Sequence, residues 1–116
     1  MNVRIRYEYG GTQIDVFSVQ AFDSFFVDAY VEVFDEGAEN WVGVEPDSIT
    51  GEIEQYNETG TFERISDSLI YEHPDGFFRL LQKCNAPPGI YYLKTTATFG
   101  NITQIERLKI KAKVII

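Results

Sequence analysis

The chain has 116 residues, of which 44% are hydrophobic, so it is expected to form one globular domain across residues 1–116 rather than a disordered chain. No apolar run approaches the roughly 20 residues that span a membrane, and the single cysteine, Cys84, excludes an internal disulfide. The formal net charge of −8 argues against nucleic-acid binding, because phosphate contacts need clustered Lys and Arg.

The first elements in chain order are strands. Residues 3–9 alternate apolar and polar side chains, the period of two that is typical of a half-buried strand. Because no apolar segment precedes this strand, we expect no signal peptide and a protein made in the cytoplasm. Gly10-Gly11 predicts a tight turn, with a returning strand at residues 12–19. Residues 25–34 are the next predicted strand, with valines on one face and acids on the other.

The middle of the chain is harder to assign. Residues 35–40 are a loop by composition, and residues 41–44 form a short strand that Pro46 ends. Residues 49–53 alternate as a strand does, and Gly60 bounds a possible hairpin. Residues 66–72 fit either a strand or one helical turn.

The last third contains the clearest pattern. His73-Pro74-Asp75-Gly76 predicts a turn, followed by a strand at residues 77–83. A long alternating strand at 91–99, a Gly100-Asn101 turn and a closing strand at 108–116 follow. No stretch has a convincing helical period of 3.6 residues. Seven to nine short strands with frequent turns predict an all-β sandwich.

Residues 89–97 read Gly-Ile-Tyr-Tyr-Leu-Lys-Thr-Thr-Ala. This run resembles the Gly-x-Tyr-x-Leu-x-x-x-Ala run of immunoglobulin-like modules in phage virion proteins and bacterial surface proteins. The resemblance implies an immunoglobulin-like antiparallel β-sandwich in which the Tyr91 hydroxyl bonds the backbone a few residues upstream. Gly89 would free the backbone for this corner. It also implies a non-enzymatic structural protein of the virion, with a capsid decoration (cement) protein as the specific expectation.

Charge is distributed unevenly along the chain. Residues 15–75 contain sixteen acids and one base, whereas residues 76–116 contain seven bases and one acid. The bases include a row on one side of the closing strand: Arg107, Lys109, Lys111 and Lys113. One interpretation is protection of an exposed strand edge. The other is partner binding, in which this row and the acidic loop with Asp35, Glu36 and Glu39 dock the protein on copies of itself or on coat or tail subunits.

Two other binding sites are considered. The oxygens of Asp35, Glu36, Glu39 and Asn40 could hold a calcium ion, although their spacing matches no EF-hand. Four aromatic residues could form a platform that binds a carbohydrate or a cell surface: Tyr30, Phe34, Trp41 and Tyr56. For Trp41 the competing interpretation is a core residue packed between sheets.

A small hydrolase is the remaining alternative. It would need either the one histidine, His73, for example paired with Cys84, or a carboxylate pair in a cleft. His73 is interpreted as a solvated turn residue and Cys84 as a small buried hydrophobe. We therefore expect no catalytic residue, no metal site and no cofactor.

Overall fold

The computed structural model describes residues 2–82 and 87–114, whose regular structure consists of strands alone. There are ten of them: β1 Val3–Tyr9, β2 Thr12–Ile14, β3 Val16–Gln20, β4 Phe25–Asp35, β5 Asn40–Gly43, β6 Ser48–Tyr56, β7 Phe62–Glu72, β8 Phe78–Gln82, β9 Gly89–Phe99 and β10 Ile102–Lys113. The prediction of an all-β protein is confirmed, although the described residues form ten strands where seven to nine were expected.

The strands form one sheet that bends until it nearly closes on itself. Its order is β2-β1-β4-β8-β7-β6-β9-β10-β3, with β5 paired to β4. All pairs are antiparallel except β3 with β10, which is parallel. The two strands at the ends of this order, β2 and β3, follow each other in the chain with only Asp15 between them. The shape is therefore barrel-like.

β7 divides the sheet into two halves. Its first part pairs with β6 and its second part, from Leu69 onwards, pairs with β8. We call β2, β1, β4, β5, β8 and the end of β7 the first half-sheet. The start of β7, β6, β9, β10 and β3 form the second half-sheet. The alternate side chains that point inward from both halves make one apolar core, in which Leu80, Leu93, Leu108, Ile110 and Val27 are the largest fully buried apolar side chains.

The predicted strand at 12–19 is divided in the structure. β2 pairs with β1, whereas β3 pairs with β10. One straight strand cannot pair with both, so the chain bends at Asp15. The ambiguous stretch at 66–72 is part of β7. β10 begins at Ile102, six residues before the predicted closing strand, because its first half extends with both faces exposed and therefore lacks apolar alternation.

Three sequence-based predictions reach beyond the described residues. The last position of the predicted strand at 77–83, the burial of Cys84 and the end of the closing strand at 115–116 all lie outside them.

Candidate interaction surface

The predicted basic residues of β10 lie together on the outer face of the second half-sheet. Leu108, Ile110 and Ala112 are buried, so the residues between them point outward. We call Lys109, Lys111 and Lys113 the lysine row. Alternate residues of a strand lie about 7 Å apart, which sets the spacing of the three Cα atoms from which these side chains extend. Exposed Val16 pairs with Lys109 and exposed Ile90 pairs with Lys111, so apolar side chains flank the row.

Arg107 is on the same face but is engaged within the molecule. Its Nε donates to Glu54 Oε1 at 2.9 Å, and its guanidinium lies 4.1 Å from the centre of the Phe62 ring. Glu54 is only 5% exposed, so this ion pair is shielded from solvent on one side. Arg107 therefore neutralises a buried acid. Its charge is less available to a partner than the charges of the lysine row.

Lys94 is a basic residue of this face that the sequence analysis missed. It pairs with Arg107 across the β9–β10 hairpin. A two-residue turn at Gly100-Asn101 fixes the register of such a hairpin, so the predicted turn was a sufficient signal. Among the described residues, neither Lys94 nor any member of the lysine row takes part in an ion pair.

The acidic loop lies elsewhere. Asp35, Glu36 and Glu39 connect β4 to β5 in the first half-sheet, so the structure does not bring them together with the lysine row. The Asp35 carboxylate accepts bonds from the backbone amides of Gly37 and Ala38 at 2.9 and 3.3 Å, which closes the turn. Glu36 and Glu39 are exposed. No group of three or more His, Cys, Asp or Glu able to hold a metal ion occurs within residues 2–82 and 87–114.

A network of arginines and acids, which the sequence analysis did not identify, covers the outer face of the first half-sheet. Glu32 Oε1 accepts bonds from Arg4 Nε at 2.8 Å and from Arg6 Nε at 2.9 Å. Arg6 also bonds Glu8. Arg79, on β8, donates two hydrogen bonds to the Asp28 carboxylate on β4: Nε to Oδ1 at 2.8 Å and Nη2 to Oδ2 at 3.2 Å.

Burial and hydrogen bonding act in opposite directions on this network. For Glu32, burial alone would raise the pKa, but the bonds from Arg6 and Arg4 outweigh it and leave the pKa below its ordinary value. For Arg6, burial alone would lower the pKa, and the bonds to Glu32 and Glu8 raise it instead. Both groups are therefore held in their charged forms, and the network stabilises the sheet rather than supplying a titrating acid or base.

The four aromatic residues proposed as a platform do not form one. Trp41 packs edge-on against Phe34 at 5.4 Å, with an angle of 63° between the rings. Arg4 lies 4.2 Å from the centre of the Trp41 ring and Arg6 lies 4.3 Å from that of Tyr30, so guanidinium groups occupy one face of each ring. Tyr56 is on the second half-sheet, against Phe62. The alternative that placed Trp41 in the core is wrong, because Trp41 is half-buried on β5, outside the core cluster.

His73 belongs to a turn, as predicted, but it is half-buried and not fully solvated. Its ring stacks on Phe77 with 4.2 Å between centres, and its Nδ1 accepts the backbone amide of Asp75 at 3.1 Å. These contacts use the imidazole to close the β7–β8 turn.

In the part of the chain that the structure describes, no helix is long and apolar enough to cross a membrane.

Tyr91 makes the corner contact that the resemblance implied. Its hydroxyl donates to the Pro87 carbonyl at 2.9 Å, and its ring is buried. Gly89 has a φ of +157°, which L side chains rarely adopt. Tyr91→Phe should lower the free energy of unfolding by about 1 kcal/mol, measured by urea denaturation. Tyr92→Phe, one residue further on the outer face, is the matched control and should change it less. Equal effects of the two substitutions would show that the corner bond adds nothing.

Comparison with known proteins gives no family for this chain: no family model matches it, and no curated protein matches its sequence.

Proposed function

We propose that this chain is a non-enzymatic binding module that docks on acidic protein surfaces through the lysine row. The observation that supports it is the set of outward ammonium groups of Lys109, Lys111 and Lys113, which have no ion pair among the described residues. Every arginine of the described chain, by contrast, has a carboxylate partner. A row of unpaired positive charges along one strand is suited to orient a partner of opposite charge.

The surroundings of the row favour a protein as the partner. Val16 and Ile90 are 45% and 41% exposed beside it, so docking would bury apolar surface as well as neutralise charge. Because β10 lies between β9 and β3 at these positions, the backbone that carries the row is held on both sides and needs no ordering on binding.

We also propose that the module belongs to the immunoglobulin-like class, on the basis of two local features of the fold. A parallel pair, β3 with β10, lies beside the antiparallel β9–β10 hairpin, and the Tyr91 corner precedes the long strand β9. The resemblance of residues 89–97 makes a phage virion the setting that we propose, with the module attached as a decoration on coat subunits or on copies of itself. No reactive group or cofactor is needed for this role.

A charge-reversal experiment tests the proposal. The triple variant Lys109→Glu, Lys111→Glu, Lys113→Glu should bind an immobilised polyglutamate peptide about tenfold or more weakly, since each exposed charge pair contributes up to about 1 kcal/mol. The loss should be larger at low ionic strength, where screening is weakest.

Two controls, a variant outside the row and a DNA duplex, make this result specific. The single variants Lys109→Glu and Arg64→Glu change the net charge equally, but Arg64 lies on β7, which β6 and β9 separate from β10. Only Lys109→Glu should weaken binding to the peptide. Equal weakening by both variants would contradict the proposal, and so would tighter binding of the unaltered protein to a DNA duplex than to polyglutamate.

A further inference from the structure

The outer edge of β10 is covered along only half of its length. β3 pairs with the stretch from Lys109 to Lys113. From Ile102 to Leu108, β10 pairs with β9 on one side, and no described strand pairs with its other side. There the Tyr7 hydroxyl lies 3.1 Å from the Glu106 carbonyl oxygen. β1 therefore adjoins the end of this stretch, where Glu106, Arg107 and Leu108 line a shallow groove together with β1.

The uncovered half has no lysine, proline or bulge, and its charged residues are Glu106 and Arg107, of which Arg107 is paired with Glu54. Lysines, prolines and bulges usually prevent a free edge from pairing in natural sheets. Here all the lysines of β10 lie in the half that β3 already covers, and the register with β9 is continuous from Ile102 to Ala112. β3 covers the three lysines, so protection of a free edge does not account for them, whereas Arg107 lies on the uncovered half. The uncovered half also exposes two isoleucines, Ile102 at 39% and Ile105 at 43%.

We propose that this edge pairs with the same edge of a second copy, as antiparallel strands about a two-fold axis at Ile105. An axis of this kind is perpendicular to the sheet and puts each residue opposite one that points to the same face. Ile105 then lies opposite Ile105 of the second copy, Thr103 opposite its Arg107, and Gln104 opposite its Glu106. No like charges meet, and the Ile105 side chains of the two copies are buried against each other at the centre.

The neighbouring registers are less favourable. An axis at Gln104 would put apolar Ile102 opposite Glu106. An axis at Glu106 would bring two glutamates face to face, which is destabilising. Self-complementarity in one register therefore favours a second copy over an unrelated peptide. The pairing extends the proposed function without depending on it, because the lysine row lies in the covered half and stays free.

Cysteine cross-linking tests this register. Cys84→Ser leaves no other thiol in the chain. In that background Ile105→Cys should form a disulfide-linked dimer under mild oxidation, since directly opposed residues have Cα atoms about 4.5 to 5.5 Å apart, within disulfide range. Thr103→Cys is the control: its two copies would lie four positions apart, about 14 Å, and should cross-link far less.

A second variant measures the association itself. The unaltered protein should show a dimer that dissociates on dilution in analytical ultracentrifugation, and Ile105→Arg should abolish it while the circular dichroism spectrum stays unchanged. The lysine triple variant should retain the dimer, which separates this inference from the proposed function. Equal cross-linking at both cysteine positions, a monomer at every concentration, or a dimer that survives Ile105→Arg would overturn the proposal.

Discussion

Replacing Glu32 by alanine is expected to lower the free energy of unfolding by about 3 kcal/mol. The side chain is mostly buried and neutralises both Arg4 and Arg6, so its removal leaves two guanidinium groups without their shared carboxylate. Breaking a buried ion pair costs about 3 to 5 kcal/mol, and we take the lower end because Arg4 is 41% exposed and screened by water. Urea denaturation at neutral pH measures the change.

The matched control is Glu36→Ala, which removes an exposed glutamate from the β4–β5 loop. Its effect should stay within about 0.5 kcal/mol. If the two variants were equally stable, the network on the first half-sheet would have no stabilising role.

The same carboxylate predicts a dependence on pH. Its pKa in the folded protein lies below the ordinary value of 4.5, because the bonds from Arg6 and Arg4 outweigh the effect of burial. A group whose pKa is lowered by folding stabilises the protein above its unfolded pKa, and this contribution is lost as the pH falls through the folded value. The stability difference between the unaltered protein and Glu32→Gln should therefore shrink as the pH is lowered below 4.5. A difference that stays constant would contradict the assignment.

Leu93→Ala is expected to cost about 2 to 5 kcal/mol of unfolding free energy. Leu93 is 1% exposed on β9, at the middle of the core that both half-sheets share, and truncating it leaves a cavity. Ile90→Ala on the same strand is the control, because Ile90 is 41% exposed and its truncation should cost much less. A cost below about 1 kcal/mol for Leu93→Ala would mean that the two half-sheets do not enclose one packed core.

Much of the strand content could be predicted because each strand has one buried face. β1 and β9 have inward residues that meet the core and outward residues that are partly exposed, and the inward valines of β4 gave the same signal although arginines cover its outward acids. The first half of β10 was missed because it extends without a buried face. The break at Asp15 was missed because it depends on which strands lie on either side, and local alternation does not contain that information.

The ion pairs of the two outer faces could not be predicted in the same way. Asp28 and Arg79 are 51 residues apart in the chain, and Glu54 and Arg107 are 53 apart. Both contacts follow from the strand order. Asp28 meets Arg79 because β4 lies beside β8, and Glu54 meets Arg107 because only β9 separates β6 from β10. The sequence therefore indicated a basic face on β10 but not that Arg107 is withdrawn from it, whereas the hairpin turn did contain enough information to add Lys94.

The central claim is that partners dock on the outer face of the second half-sheet. An NMR titration of the isotope-labelled protein with a polyglutamate peptide tests it most directly, because each residue reports its own surroundings. The account predicts that the largest chemical-shift changes fall on Lys94, Lys109, Lys111 and Lys113 and on their neighbours in β3. Changes concentrated instead on the Arg4, Arg6 and Trp41 face, or none at any residue, would contradict it.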